Sequence, residues 1–250
     1  MTEFSANLGF LWTELSLPDA IRAAQRAGFA AVEMHWPYET AAGDIRAALD
    51  ETELPLLGIN TVRGAAGENG LCALPGRDVE ARASIDQAIT FARETGARSV
   101  HVMAGFAEGA EAHRTFTENL RYACEKAPEL VILIEPLNHH DAPDYFLSTA
   151  TQAADIIAEV GAPNLKLMFD CYHLQIMGGD LTRSLDLYRT IIGHIQFASV
   201  PARAEPDQGE VNYAHVFEHL SRTGYDAPLG AEYKPATTTD AGLGWMARFA

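Results

Sequence analysis

The sequence predicts a (β/α)8 TIM barrel, and three observations carry that prediction. Eight short apolar segments alternate with segments of helical pattern along 250 residues, which is a typical length for such a barrel. No linker-like stretch or break in charge or composition divides the chain, so we expect a single domain over residues 1–250. No Gly-x-Gly-x-x-Gly follows the first predicted strand, which disfavours the alternative of a doubly wound open sheet.

The first half of the chain contains four strand–helix pairs. Short, mostly apolar runs predict strands at residues 7–10, 31–34, 54–60 and 99–103. Amphipathic patterns predict helices from Leu17 to about Gly28, then over 41–51, 77–95 and 110–126. Pro18 lies in the first turn of the first helix, where proline is tolerated, and Gly28 ends that helix.

The second half repeats the same alternation. Strands are predicted at residues 130–135, 165–170, 194–198 and 228–233. Helices are predicted over 149–160, 181–192 and 212–223, and residues 242–250 are long enough only for a short final helix. The repetition is one of pattern, since no sequence repeat of fixed period is present.

Composition argues against several classes of partner. A formal charge of −16 disfavours nucleic acid, which is bound by basic surfaces. No apolar run approaches the ~20 residues of a membrane span, and the N-terminus lacks a signal-peptide pattern. Three widely spaced cysteines form neither a zinc motif nor a disulfide framework. We therefore expect a cytoplasmic protein with no membrane partner, and a homo-oligomer is compatible with the sequence.

Polar side chains stand at the C-terminal ends of the predicted strands, where barrel enzymes place their active sites. Taken in order, these residues are Glu33, His35, Asn60, His101, Glu135, Asp170, Gln196 and Glu232. The last four close strands five to eight, and adjacent parallel strands lie ~4.8 Å apart, so their side chains can converge. Any one of them could be a solvated strand terminus, but four in succession make that reading improbable.

Carboxylate and amide oxygens are hard ligands, suited to an octahedral divalent ion such as Mg²⁺ or Mn²⁺. We expect such a cofactor at Glu135, Asp170, Gln196 and Glu232, with positions left for substrate oxygens or water. Zinc is disfavoured because neither a thiolate nor a cluster of histidines is present at these strand ends.

Two histidines lie close to this set. His173 follows Asp170 by three residues, where it can reach a substrate oxygen or support a metal ligand, and a loop histidine bonded to a backbone carbonyl is the alternative. His194 shares a strand face with Gln196, so it should point into the barrel as a core histidine or as a participant.

An acidic substrate also requires a cation. Arg203 is the best-placed candidate for an anionic substrate group and Lys234 is the second, although either can be an ordinary surface cation. The strand-end residues His101 and Asn60 complete the expected substrate-binding set.

Five motifs together resemble the hydroxypyruvate isomerase family, which belongs to the xylose-isomerase-like TIM barrels. They are Ile134-Glu135-Pro136-Leu137-Asn138, Phe169-Asp170-x-x-His173, His194-Ile195-Gln196, Gly209-Glu210-Val211-Asn212-Tyr213 and Glu232-Tyr233-Lys234-Pro235. The resemblance implies a metal held by the four strand-end ligands and proton transfer by Glu135 and Glu232. The substrate it implies is a small sugar acid: hydroxypyruvate, giving tartronate semialdehyde, or a 2-oxo-tetronate.

The segment after the seventh strand departs from the family pattern. Where the family has Ala-Asp-x-Pro-Gly-Arg-His, this chain has Ser199, Ala202 and Ala204 in place of the Asp, Gly and His. Arg203 and the four expected metal ligands are retained, so the departure bears on the substrate and not on the chemistry.

Three other functions compete with the isomerase. A sugar 3-epimerase would use the same barrel and the same pair of glutamates, but we expect a histidine ligand there at the position of Gln196. An AP endonuclease of this superfamily would need a richer His/Glu zinc cluster and a DNA-binding surface. A non-catalytic sugar-acid binding protein would not need two candidate bases at Glu135 and Glu232.

Overall fold

Eight parallel strands form the central sheet of the computed structural model, which describes residues 2–249. The strands are β1 (Phe4–Asn7), β2 (Ala31–Glu33), β3 (Gly58–Asn60), β4 (Ser99–His101), β5 (Val131–Ile134), β6 (Leu165–Asp170), β7 (Ile192–Phe197) and β8 (Leu229–Ala231). Their order in the sheet is β2-β1-β8-β7-β6-β5-β4-β3. A parallel bridge from Val32 to Leu56 and a 3.0 Å hydrogen bond from the Met34 amide to the Gly58 carbonyl join the two ends. The predicted (β/α)8 barrel is confirmed.

Helices follow the strands in alternation. They are α1 (Leu17–Arg26), α2 (Ala42–Thr52), α3 (Asp78–Thr95), α4 (Gly109–Lys126), α5 (Ala150–Val160), α6 (Cys171–Met177), α7 (Leu181–Tyr188), α8 (Tyr213–Arg222), α9 (Thr239–Gly242) and α10 (Gly244–Phe249), with a 3₁₀ turn at Pro37–Glu39. Side-chain oxygens of Ser16 and Thr149 accept backbone N–H groups in the first turns of α1 and α5. Gly96 and Gly161 end α3 and α5 in the left-handed conformation.

Several predicted boundaries were wrong. The first strand is residues 4–7 and not 7–10, because the buried run that pairs with β2 and β8 begins at Phe4. The helix predicted over 181–192 ends at Tyr188, since Ile192 already belongs to β7. The predicted final helix is two short helices, and its last position, Ala250, lies outside the described residues.

His173 lies in α6, a helix that was not predicted, which excludes the alternative of a loop histidine. This helix follows β6 without a connecting loop, because the Asp170 carboxylate accepts a 2.8 Å hydrogen bond from the Tyr172 amide and caps the first turn. The strand end and the helix start thus place Asp170 and His173 on adjacent positions of the barrel mouth.

An aromatic cluster packs over the β1–β8 seam. Phe4 contacts Trp245 of α10 with ring centroids 4.9 Å apart, and Phe197 contacts Phe217 at 5.0 Å. The C-terminal segment is also bonded to the loop after β1, where Trp12 donates its backbone N–H to Thr239 and its ring N–H to Asp240. These contacts fix the last strand against the first.

None of the helices within residues 2–249 combines the length and the apolar composition needed to cross a membrane.

Candidate active site and metal centre

A cavity of about 350 Å³ opens at the C-terminal ends of the strands. Seven of the nine predicted site residues line it: Asn60, His101, Glu135, His173, Arg203, Glu232 and Lys234. The other two contact its walls. Asp170 Oδ2 lies 3.6 Å from His173 Nε2, and Gln196 Nε2 lies 3.5 Å from Glu232 Oε1. The barrel therefore brings the whole predicted set to one end of the sheet.

Four buried side chains form the centre of this cavity. Glu135, Asp170, His173 and Glu232 each offer one ligand-type atom, and these atoms all lie within 4.8 Å of one another. Gln196 lies on β7, between Asp170 at the end of β6 and Glu232 just beyond β8. The cluster has the size and the donor types of a site for a divalent ion.

Three oxygens of this cluster and of the neighbouring Gln196 accept no hydrogen bond from residues 2–249. Among the described residues, none donates a hydrogen bond to Glu135 Oε1, Asp170 Oδ2 or Gln196 Oε1, although all three atoms are buried. A buried acceptor without a partner is costly, and a cation satisfies it. The three unpartnered oxygens therefore fit a hard divalent ion.

Two carboxyl groups of this site have raised pKa values. Burial raises the pKa of Glu135 well above its usual range, and the charges of Glu232 and Asp170 raise it further. Burial also raises the pKa of Asp170, with the charge of Glu232 adding to the effect and that of Arg203 opposing it. A bound cation would favour the ionised form of both groups.

The pKa of Glu232 is shifted in the other direction, because polar and charged side chains contact both of its oxygens. Arg203 Nη2 lies 2.6 Å from Glu232 Oε2 and His35 Nε2 lies 2.8 Å from Oε1. Asn7 donates a further hydrogen bond of 3.1 Å to Oε1. Burial works against ionisation here, but the charge of Arg203 and the hydrogen bond with His35 lower the pKa of Glu232 below its usual range. The contacts of Glu232 thus favour its ionised form.

Arg203 is a half-buried counter-ion and not an ordinary surface cation. Its guanidinium lies between the rings of Phe10 and Tyr172, 4.9 Å from each centroid, and 3.6 Å from Asp141 Oδ2. The backbone of Arg203 is left-handed, with φ 51°. Ser199 holds this loop, because its hydroxyl accepts the Ala204 N–H, its carbonyl accepts the Arg203 N–H, and its own N–H donates to the Ala204 carbonyl. The departure from the family pattern at Ser199 therefore leaves Arg203 in place.

The hydrogen bonds of His173 determine its tautomer. Its Nδ1 accepts from the backbone N–H of Asn138 at 3.0 Å and faces the Asn138 side-chain amide at 2.8 Å. Burial, together with the charge of Arg203, lowers the pKa of His173 to about 3, so the ring is neutral at pH 7 with its proton on Nε2. His173 Nε2 lies 3.6 Å from Asp170 Oδ2 and 4.0 Å from Glu135 Oε1, beyond hydrogen-bond distance of either oxygen, and His173 lines the cavity.

His101 is neutral as well. Burial lowers its pKa to about 4, and its Nδ1 lies 3.7 Å from Glu135 Oε2. Among the described residues, neither ring nitrogen of His101 has a hydrogen-bond partner. A neutral imidazole with a free donor and a free acceptor at the cavity wall is suited to a polar ligand.

Known proteins resemble this chain over its whole length. The profile of the xylose isomerase-like TIM barrels matches residues 21–249. A 2-oxo-tetronate isomerase from Cupriavidus necator is 45% identical, with 98% of each chain covered. The hydroxypyruvate isomerase of Escherichia coli is 38% identical, also with 98% of each chain covered. The chain belongs to the hydroxypyruvate isomerase family.

Two solved structures extend the comparison. One from Brucella melitensis, named as an AP endonuclease of family 2, is 39% identical with a TM-score of 0.95, covering 100% of this chain and 99% of that one. The 3-keto-D-glucoside 4-epimerase of Escherichia coli has a TM-score of 0.82 at 19% identity, covering 100% of this chain and 98% of that one. The second likeness shows a shared fold only.

In this member of the hydroxypyruvate isomerase family, four residues that contact the site side chains had no role assigned from the sequence. Asn7 and His35 bind Glu232, Asn138 fixes His173, and Asp141 faces Arg203. Asn7 was placed at the start of the first strand, although it stands at the strand's end. His35 was already among the strand-end residues, so its position was the available signal.

Proposed function

We propose that this protein is a metal-assisted aldose–ketose isomerase of small hydroxy-oxo acids, with hydroxypyruvate or a 2-oxo-tetronate as substrate. The observation that carries the proposal is the set of unpartnered, buried oxygens on Glu135, Asp170 and Gln196 around a small cavity. The named isomerases among its relatives support the reaction class.

The ion would be held by Glu135, Asp170, Gln196 and Glu232, with Mg²⁺ or Mn²⁺ favoured by the oxygen donors. When bound, it would supply electrostatic stabilisation of the charge that develops on the substrate oxygens. His173 lines the cavity and would offer its Nε2–H to a substrate oxygen.

The two glutamates would perform the proton transfers. Isomerisation moves a proton between adjacent carbons through an enediolate, so one carboxylate must abstract a proton and one must return it. Glu135 follows β5 and Glu232 follows β8, which places them on different sides of the mouth. The ordered contacts of Glu232 with Arg203 and His35 would hold it as a fixed, ionised base.

The acid group of the substrate would be recognised at the rim. Lys234 is exposed at the cavity edge, and Arg203 faces the cavity beneath it. Neutral His101 and the half-buried Asn60 add polar groups for the hydroxyl and oxo oxygens.

A substrate screen in deuterium oxide tests the reaction class. Purified protein with Mn²⁺ should interconvert hydroxypyruvate or a 2-oxo-tetronate with its isomer and incorporate solvent deuterium at the reacting carbon. Mass spectrometry and proton NMR would follow both events. Deuterium exchange at C3 of a ketose without aldose formation would indicate a 3-epimerase instead, and cleavage of abasic-site DNA would indicate an endonuclease.

Metal removal tests the cofactor. Dialysis against EDTA should abolish turnover, and Mg²⁺ or Mn²⁺ should restore it. Because an ion that binds only the folded state adds about 2.7 kcal/mol at one hundred times its Kd, the ion should also raise the melting temperature. Full activity in the EDTA-treated, metal-analysed protein would contradict the proposed cofactor.

A further inference from the structure

A second polar cluster lies directly beneath the proposed metal site. Glu33 at the end of β2 is 4% exposed, and its carboxylate contacts side chains from two other strands, β1 and β7. Ser5 donates to Oε1 at 2.8 Å, Gln196 donates to Oε2 at 2.6 Å, and His194 Nε2 lies 3.2 Å from Oε2. Glu33 has no part in the proposed metal binding, proton transfer or substrate binding.

The carboxylate of Glu33 determines which way the Gln196 amide faces. A carboxylate only accepts hydrogen bonds, so the NH₂ group of Gln196 must face it. The same NH₂ group lies 3.5 Å from Glu232 Oε1, a second acceptor. Turning the amide over would place its oxygen against two carboxylates, which is electrostatically unfavourable.

This orientation leaves the amide oxygen for the metal. Gln196 is 2% exposed, and among the described residues none donates to its Oε1. In the opposite orientation a buried NH₂ group would replace a ligand oxygen at the site. An amide contributes to a cation site only through its oxygen, so its orientation matters more than that of a symmetric carboxylate.

Gly230 leaves room for this arrangement. A Cβ at that position would lie 2.4 Å from Glu33 Oε1, 2.7 Å from Gln196 Cγ and 2.9 Å from His194 Nε2. The backbone of β8 is therefore in direct contact with the cluster, and no larger residue fits without displacing it.

We infer that Glu33 is a positioning residue that holds the Gln196 amide with its oxygen towards the bound metal. The inference rests on the proposed function, since it presumes the divalent ion. Glu33 does not itself touch the ion or the substrate. Its effect is exerted through the orientation of a single ligand.

Glu33→Gln tests this inference, because a glutamine offers Gln196 both a donor and an acceptor and so no longer selects one orientation. We expect Mn²⁺ to bind roughly 10–100-fold more weakly than to the wild type, as is common for changes in groups that orient metal ligands. Isothermal titration calorimetry and Mn²⁺ electron paramagnetic resonance would measure the affinity of metal-stripped protein. Glu33→Asp, which shortens the reach to Gln196, should show the same loss and serves if the first variant does not fold.

The Gln196→Ala background separates positioning from general damage. There, Glu33→Gln should change the Mn²⁺ affinity by less than about twofold, because the oriented ligand is already gone. Ser5→Ala is the matched control, since it removes a different hydrogen bond to Glu33, and it should leave Mn²⁺ affinity near that of the wild type.

Two results would overturn the inference alone: wild-type affinity in Glu33→Gln, or an equal loss of affinity with and without Gln196. Failure of the wild-type protein to bind Mg²⁺ or Mn²⁺ would overturn the proposed cofactor as well, so the two failures are distinguishable.

Discussion

Replacing Glu135 with glutamine should lower kcat by about 10²–10⁴-fold, the usual contribution of a general acid–base group. The amide keeps an oxygen that can face the metal but can no longer take up a proton from carbon. Substrate affinity should therefore stay within about tenfold of the wild type, because the cavity and its other polar groups are unchanged. Steady-state kinetics and calorimetric binding of the substrate would give both quantities.

Glu129→Gln is a matched control for this prediction. Glu129 lies just before β5 on the surface and pairs with Arg93, so its loss should leave kcat unchanged. An unaltered kcat in Glu135→Gln would exclude Glu135 as a proton-transfer group. A collapse of ligand affinity, in a protein that never shows turnover, would favour a sugar-acid binding protein.

Replacing Arg203 with methionine should destabilise the metal-free protein and increase the stabilisation that a bound divalent ion provides. Removing one partner of a buried ion pair typically costs about 3–5 kcal/mol, because the remaining charges are left uncompensated. Arg203 faces Glu232, Asp170 and Asp141, so the metal-free variant should be strongly destabilised. Urea unfolding in EDTA would measure the loss.

Mn²⁺ should then stabilise Arg203→Met more than it stabilises the wild type, since the more negative site attracts the cation more strongly. Arg22→Met is the control, because Arg22 pairs with Asp19 and Glu51 on the surface and its loss should leave the melting temperature nearly unchanged. Equal stability of Arg203→Met and the wild type in EDTA would refute the counter-ion role.

The barrel and the location of the cavity could be predicted from sequence because both follow from periodicity. Apolar runs give the strands, and parallel strands in a barrel carry their C-terminal ends to one face. Glu135, Asp170, Gln196 and Glu232 could be grouped in this way before their distances were known.

Contacts between distant strands could not be predicted in the same way. Periodicity does not show that Asn7 and His35 bind Glu232, because these contacts join the first and last thirds of the chain. The first strand was predicted too late in the sequence because Gly9 and Phe10 resemble the end of a strand. The residues that pair with β2 and β8 begin three positions earlier than predicted, at Phe4. The tautomer of His173 depends on Asn138, whose backbone direction is set by tertiary structure.

The β1–β8 seam has a consequence for the order of events during synthesis. Glu232 stands beyond the last strand, whereas two of its hydrogen-bond partners, Asn7 and His35, are made more than 190 residues earlier. The seam is sealed by Trp245 and by the bonds of Trp12 to residues 239 and 240. A nascent chain that has not yet added β8 and the residues after it has seven strands and an unpaired β1 edge, so the contacts that hold Glu232 form only in a late step of folding.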